Sequence, residues 1–230
     1  MFLPLHDQNG LAHVRRPYVN LTIIAANILI FLVFQGAGDD QAIGASSYSF
    51  GLIPVVFFEM RELAEALRMQ PDWMSLVTYS FLHGSFMHLL GNMLFLWVFG
   101  DNVEDAMGHV RYLVFYLACA AAAGLAYAMM DTRSEVPLIG ASGAVSGVVA
   151  AYLMLHPRVK VWVLFLGRIP LRLTAFWLLG AWVLYQIFNA VTAADSNVAW
   201  IAHVGGLAAG AVLVLVLRRR GVPLFDKNLT

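Results

Sequence analysis

Long apolar segments separated by short polar ones dominate this chain, and six of them are long enough to predict membrane-spanning helices. Hydrophobic residues make up 60% of the sequence and charged residues 12%, about half the charge of an ordinary soluble domain. We therefore predict an all-α membrane protein, a six-helix bundle forming one domain over residues 1–230. The predicted spans lie at about 19–35, 85–100, 112–130, 140–155, 171–191 and 198–217.

The distribution of basic residues predicts the orientation of the spans. With the N-terminus in the cytoplasm, eleven of the fourteen Lys and Arg residues fall in cytoplasmic segments. Because cytoplasmic loops carry an excess of Lys and Arg, this orientation is favoured, and it places both termini in the cytoplasm. An odd number of spans would put the cluster 218–220 outside.

Two stretches between the spans are unusual. The first outer loop, about 36–84, is too long for a simple connector, and charged and apolar residues alternate over 57–68 in a pattern typical of an interfacial amphipathic helix. The apolar stretch 161–166 is too short to span and is expected to lie against the inner surface.

A serine and a histidine are predicted at similar depth. The fourth span enters from outside with Ser142 about one turn in, and the sixth enters from the same side with His203 between one and two turns in. Polar groups at this depth are costly and usually functional. A serine beside a histidine has the parts of a nucleophile and its general base.

Small residues on the same two spans predict close helix packing. Gly143 and Gly147 recur at a spacing of four on the fourth span, and Gly206 and Gly210 do so on the sixth. His203 shares the face of Gly206. Such faces allow two backbones to approach closely, although packing alone would also explain them.

The second span adds a further polar set. His88 and Asn92 are four residues apart, share one face, and can donate hydrogen bonds to the developing oxyanion of an acyl-transfer intermediate. The alternative is that they form interhelical hydrogen bonds. For His83, which lies before the expected helix start, we favour that structural role.

The sequence gives little indication of a metal site, of a catalytic carboxylate or of a nucleic-acid partner. Three histidines can bind zinc, but an HExxH pattern is missing and no Asp or Glu falls within the predicted spans. Asp195, in the last outer loop, is expected to be too shallow to complete a triad. We therefore expect a Ser–His dyad without metal or cofactor. The net charge of zero also argues against a nucleic-acid partner.

Four motifs resemble those of rhomboid intramembrane serine proteases. The sequence Gly140-Ala141-Ser142-Gly143 is similar to the family's GxSG motif, and Ala202-His203 with Gly206 and Gly210 is similar to AHxxGxxxG. The second span and its end carry the other two. They are the H-x4-H-x3-N pattern of His83, His88 and Asn92, and the GxxxExxxG pattern of Gly100, Glu104 and Gly108.

The resemblance implies a role for each matched residue. Ser142 would be the nucleophile and His203 the base, while His88 and Asn92 would stabilise the oxyanion with the Ser142 N–H. Gly140 would allow close passage at the serine, and Glu104 would tie the inner end of the second span to its neighbours. Some members have an aromatic residue four positions after the serine, stacked on the histidine. Here that residue is Ser146, so the orientation of His203 stays open.

The implied activity is cleavage of single-span membrane proteins near the outer face, in a bacterial inner membrane. A rhomboid-like protein that binds transmembrane helices without cleaving them is one alternative, and a channel or transporter is another. The natural substrate and the oligomeric state are not indicated.

Overall fold

Ten α-helices and three β-strands form within the residues that the computed structural model describes, which are 2–165, 167–192 and 198–226. The order is β1 Phe2–Asp7, α1 Tyr18–Val33, α2 Asp40–Phe50, α3 Pro54–Phe57, α4 Ser75–Thr78, α5 Phe86–Phe95, α6 Asp101–Met107, α7 His109–Met130, α8 Ser142–Leu155, β2 Lys160–Phe165, β3 Ile169–Thr174, α9 Ala175–Thr192 and α10 Trp200–Leu217. The predicted helical class is confirmed, and each predicted span contains one of the longer helices.

The second predicted span is a longer helix than expected. A π-helical turn, Leu96–Gly100, joins α5 to α6, so helix runs from Phe86 to Met107. The side-chain amide of Asn20 donates to the Leu96 carbonyl at the start of this wide turn, with N and O 2.9 Å apart. Ser85 caps the other end, its Oγ accepting the His88 N–H at 3.1 Å.

Three helices, α7, α9 and α10, are by themselves long and apolar enough to cross a membrane. The α5–α6 helix becomes a fourth candidate when it is joined to the helical turns of Asp72–Phe81, which meet it at 85°. Helices α1 and α8 have only 16 and 14 residues. At 1.5 Å per residue α8 is about 21 Å long, shorter than the hydrocarbon core of about 30 Å. A short α8 lets its first residue begin below the membrane surface.

The core of the bundle lies between α7, α8 and α10. Eleven of the fourteen residues of α8 are buried, so this helix is enclosed by protein. Tyr79, from the first outer loop, is also fully buried and donates its hydroxyl to the Ala120 carbonyl at 2.8 Å. The outer loop is therefore anchored in the helical core.

The N-terminal strand and the segment between α8 and α9 form a small antiparallel sheet of order β1-β2-β3, which was not predicted from the sequence. The stretch 161–166, expected against the inner surface, forms β2 as far as Phe165; residue 166 lies outside the described residues. Val161 and Val163 are buried while Trp162 between them is exposed, the alternation of a strand with one covered face. The short apolar run was thus correctly excluded as a span, but its strand pairing was missed.

The first outer loop also differs from the prediction. Residues 58–64 form no helix, and only Glu65–Leu67 makes a 3-10 turn in the segment that was predicted to be amphipathic. The longest helix of the loop is instead α2, which Asp39 begins by accepting the Ala42 N–H at 2.9 Å. Gly36 and Gly38, both at positive φ, precede this cap and separate α2 from α1.

Candidate active site

Ser142 is the first residue of α8, and the loop before it is held by the first outer loop. Leu52 and Leu138 exchange backbone hydrogen bonds of 3.1 and 2.8 Å, and the Gly140 N–H donates to the Tyr79 carbonyl at 3.0 Å. Because Ser142 is at the N-terminus of a helix, its backbone N–H has no partner within that helix. Ser142 therefore offers both its hydroxyl and a backbone N–H that has no partner within the helix.

His203 lies one turn into α10 and contacts Ser142 directly. Its Nε2 is 2.8 Å from the Ser142 Oγ, and only 9% of the residue is exposed. This distance is that of a hydrogen bond. The two residues predicted from motif and depth are therefore in contact, although they are 61 positions apart.

Glycine faces set the spacing of α8 and α10. A Cβ at Gly206 would overlap the carbonyl oxygen of Gly143, and a Cβ at Gly210 would overlap that of Gly147. On its other side, a Cβ at Gly143 would lie 2.5 Å from the Cβ of Ala123 on α7. The helices approach so closely that the Ser–His contact depends on the absence of side chains here.

A cavity of about 490 Å³ opens beside the pair. Ser142, His203, His88 and Tyr127 line it, together with residues 136–139 and 198–199. These segments are the helix ends and loops that the basic-residue pattern assigns to the outer side. The volume falls in the range of small-molecule and peptide sites, and it leaves room for water beside the hydroxyl.

His88 is placed against Gly140. The Gly140 backbone has a φ of +120°, and a Cβ there would lie 2.6 Å from His88 Nε2. The Nδ1 of His88 is 3.4 Å from the Gly84 N–H. Glycine is thus needed at position 140 both for its dihedral angle and for the neighbouring imidazole.

Asn92 and His83 are more completely buried within the protein than His88. Asn92 is 7% exposed, and among the described residues its side-chain Nδ2 has no hydrogen-bond partner. A buried donor left unpaired is rare and calls for an explanation, such as a ligand or intermediate that pairs with it. Asn92 is not among the residues that line the cavity.

The expected hydrogen bonds of His83 are made by its backbone and not by its ring. Its N–H donates to Gln35 Oε1 at 2.8 Å, and its carbonyl accepts from Gln35 Nε2 at 3.0 Å. Neither ring nitrogen has a partner of ordinary geometry in the described part of the chain. The ring packs edge-on against that of His88, with centroids 5.1 Å apart. Within the described residues the contact with Gln35 is thus made by the His83 backbone, and a structural role for the His83 ring stays a prediction.

Two neighbours of His203 were not predicted from the sequence. Gln186, on α9, has its Oε1 2.9 Å from His203 Nδ1, and the ring of Trp200 meets the imidazole edge-on at 5.7 Å and 87°. Ser146, which replaces the aromatic residue of some rhomboids, turns back to the Ser142 carbonyl at 2.7 Å. A third member of the site need not be a carboxylate: a buried amide within a largely apolar span is the signal that points to Gln186.

Glu104 lies in the middle of α6 and does not line the cavity. Its carboxylate accepts the N–H groups of Val19 and Asn20, at 3.1 and 2.7 Å, and contacts His109 Nδ1 at 2.5 Å. It thereby caps the start of α1 and joins three helices. Asp195 lies outside the described residues, within which no group of three or more His, Cys, Asp or Glu side chains is arranged to hold a metal ion.

Comparison with known proteins gives one consistent result. Residues 70–220 match the sequence model of the Rhomboid domain. The chain is 29% identical to RHOMBOID-like protein 12, mitochondrial, of Arabidopsis thaliana, over 63% of this chain and 46% of that protein. It is 29% identical to Rhomboid protease GluP of Bacillus subtilis (96% and 38%), and 24% identical to Rhomboid protease GlpG of Enterobacter sp. (90% and 70%). The chain thus spans less than half the length of the Arabidopsis and Bacillus relatives.

Proposed function

The chain belongs to the rhomboid family of membrane proteins, and from this premise we propose that it is an intramembrane serine endopeptidase. Its substrates are transmembrane segments of single-span proteins, cleaved near the outer face of the membrane. The observation that carries the proposal is the 2.8 Å contact between Ser142 Oγ and His203 Nε2 beside a cavity.

The reaction begins at the hydroxyl of Ser142. His203 Nε2 takes the hydroxyl proton as Oγ attacks the carbonyl carbon of the scissile peptide, and the carbonyl oxygen becomes an oxyanion. When the tetrahedral intermediate collapses, the C–N bond breaks and the imidazolium returns its proton to the leaving amine. An acyl ester on Ser142 remains.

Water completes the cycle. A water molecule in the cavity attacks the ester as His203 takes one of its protons, and the second intermediate collapses to a carboxylic acid and the free Ser142 hydroxyl. Because hydrocarbon excludes water, hydrolysis at this depth needs an enclosed polar space, and the cavity of about 490 Å³ is suited to supply it.

Three donors are available for the oxyanion. The Ser142 N–H is at a helix N-terminus, and the imidazole of His88 lines the same cavity. Asn92, one turn from His88 on the same face of α5, has a side-chain Nδ2 without a partner among the described residues. Donors fixed before the reaction stabilise the developing charge without reorganisation. We assign oxyanion stabilisation to these groups.

The substrate must present an extended peptide bond to Ser142. Peptide groups within a helix are shielded by their own hydrogen bonds, so the cleaved segment has to unwind locally. We therefore expect small or helix-breaking residues at the cleavage site. In the proposed topology the protein lies in a bacterial inner membrane with six spans, both termini are cytoplasmic, and the cavity opens to the outer side.

The test is cleavage of a transmembrane substrate by purified protein in liposomes. The wild type is expected to produce fragments, while Ser142→Ala and His203→Ala lose cleavage and keep the wild-type melting temperature. Cleavage that persists in both variants would refute the assignment. A rhomboid-like escort without protease activity would bind the substrate and leave it intact in all three proteins.

A further inference from the structure

Gln186 is one of two buried amide side chains in the largely apolar helix α9. It lies in α9, where the residues on either side are Tyr185 and Ile187, and only 4% of it is exposed. A buried amide is costly unless it is hydrogen-bonded. Asn189, one turn farther along α9, satisfies its own amide by donating to the Tyr185 carbonyl of the same helix at 2.7 Å. Gln186 instead reaches a different helix, at His203.

The contact bears on which ring nitrogen of His203 carries the proton. A neutral imidazole has one N–H donor and one acceptor. To take the Ser142 proton, Nε2 must be the acceptor, so Nδ1 must be the donor. The amide oxygen of Gln186, 2.9 Å from Nδ1, is a suitable acceptor for that N–H. With the amide group reversed, the opposite tautomer would be favoured and Nε2 would not accept from Ser142.

We propose that Gln186 is a positioning residue that holds His203 in the tautomer and ring orientation required of a general base. It supplies from α9 the third position that a carboxylate fills in Ser-His-Asp triads. The inference rests on the proposed protease function. It also explains how the imidazole is oriented in a chain with Ser146 at the position of the stacked aromatic residue, since Gln186 and the edge of Trp200 contact the ring instead.

The bond matters most when His203 becomes positively charged. An imidazolium N–H forms a stronger hydrogen bond than a neutral one, so the Gln186 contact strengthens as the proton leaves Ser142. An interaction that grows in the transition state affects kcat and leaves substrate binding largely unchanged.

The other titratable groups near His203 line the same cavity or the adjoining one. His88 from α5, Tyr127 from α7 and Ser142 from α8 line the same cavity, and Asp131 lines the adjoining one.

The kinetic experiment compares two substitutions at Gln186 with a matched control. Gln186→Leu removes the acceptor at similar volume, and kcat is expected to fall about ten- to a hundredfold with KM within about twofold. Gln186→Glu keeps an acceptor oxygen. It should retain kcat within about tenfold, and its carboxylate favours the imidazolium, so the pH of half-maximal activity on the acid side should rise by about one unit. Asn189→Leu removes another buried amide of α9 and should leave both parameters within about twofold.

Two results would overturn the inference. One is a Gln186→Leu enzyme with wild-type kcat. The other is a Gln186→Glu enzyme that is as impaired as Gln186→Leu with an unshifted pH profile, which would mean a packing role only. If the wild type shows no Ser142-dependent cleavage, the proposed function fails instead.

A second measurement is independent of activity. Nitrogen-15 NMR of ring-labelled histidine, with His203 assigned by its loss in His203→Asn, reports the protonated nitrogen. We expect protonated Nδ1 in the wild type and a mixture of tautomers in Gln186→Leu. Identical spectra would contradict the role of Gln186 whatever the catalytic result.

Discussion

Replacing Gly206 by alanine tests whether the α8–α10 contact positions the Ser–His pair. The added Cβ would lie 2.8 Å from the carbonyl carbon of Gly143 and closer still to its oxygen, where only backbone is present to yield. Restoring ordinary contact requires the helices to separate by about 1 Å. Gly143 follows Ser142 directly and Gly206 is one turn from His203, so the separation falls at the catalytic contact.

The magnitude follows from that displacement. A hydrogen bond of 2.8 Å lengthened by about 1 Å is no longer a hydrogen bond, and misplacement of this size costs about a hundredfold in rate. We expect Gly206→Ala to lower kcat about a hundredfold, and overpacking to lower stability by about 1–3 kcal/mol.

Thermal unfolding gives the stability of the variant, and steady-state cleavage is then measured at a temperature where the variant is folded. Gly91→Ala is the matched control, because a Cβ at Gly91 meets nothing within 4 Å. It should keep the wild-type kcat. A folded Gly206→Ala enzyme with kcat within twofold of the wild type would refute the proposed link between helix spacing and catalysis.

Three further predictions concern other parts of the site and fold. Asn92→Ala removes a proposed oxyanion donor and should lower kcat about a hundredfold at unchanged melting temperature; wild-type kinetics would exclude that role. Gly140→Ala forces a side chain into a φ of +120° against His88, and calorimetry should show a loss of about 1–3 kcal/mol. Burial raises the pKa of the Asp7 carboxyl in β1 above its ordinary 3.8, so the folded state favours the protonated form. The melting temperature of Asp7→Asn should therefore rise relative to the wild type as the pH is raised above about 3.8, and a constant difference across this range would contradict this.

The helical elements were predictable because hydrocarbon imposes a simple pattern. Each predicted span contains a helix whose ends differ by a few residues, except that α6 extends the second to Met107. The extension includes Asp101 and Glu104, charged residues that a hydropathy pattern reads as the end of a span. Glu104 accepts hydrogen bonds from the first backbone N–H groups of α1, which stabilise helix there, and such long-range partners are not visible in local sequence.

The three-stranded sheet was missed for a related reason. Strand β2 pairs with β1, which is more than 150 residues earlier, and the short apolar run that forms β2 gives no indication of its partner. The contact of Ser142 with His203 is also distant in sequence, yet motif and topology placed both residues at one depth. No motif marks Gln186, and its contact with His203 depends on how α9 packs beside α10.

Labelling with a serine-directed fluorophosphonate, followed by mass spectrometry of the adduct, tests the central claim most directly, because it reports whether one hydroxyl is activated by one imidazole. The account predicts a single adduct, on Ser142, that disappears in His203→Ala while the protein stays folded. An adduct on another serine, or equal labelling of Ser142 without His203, would contradict it.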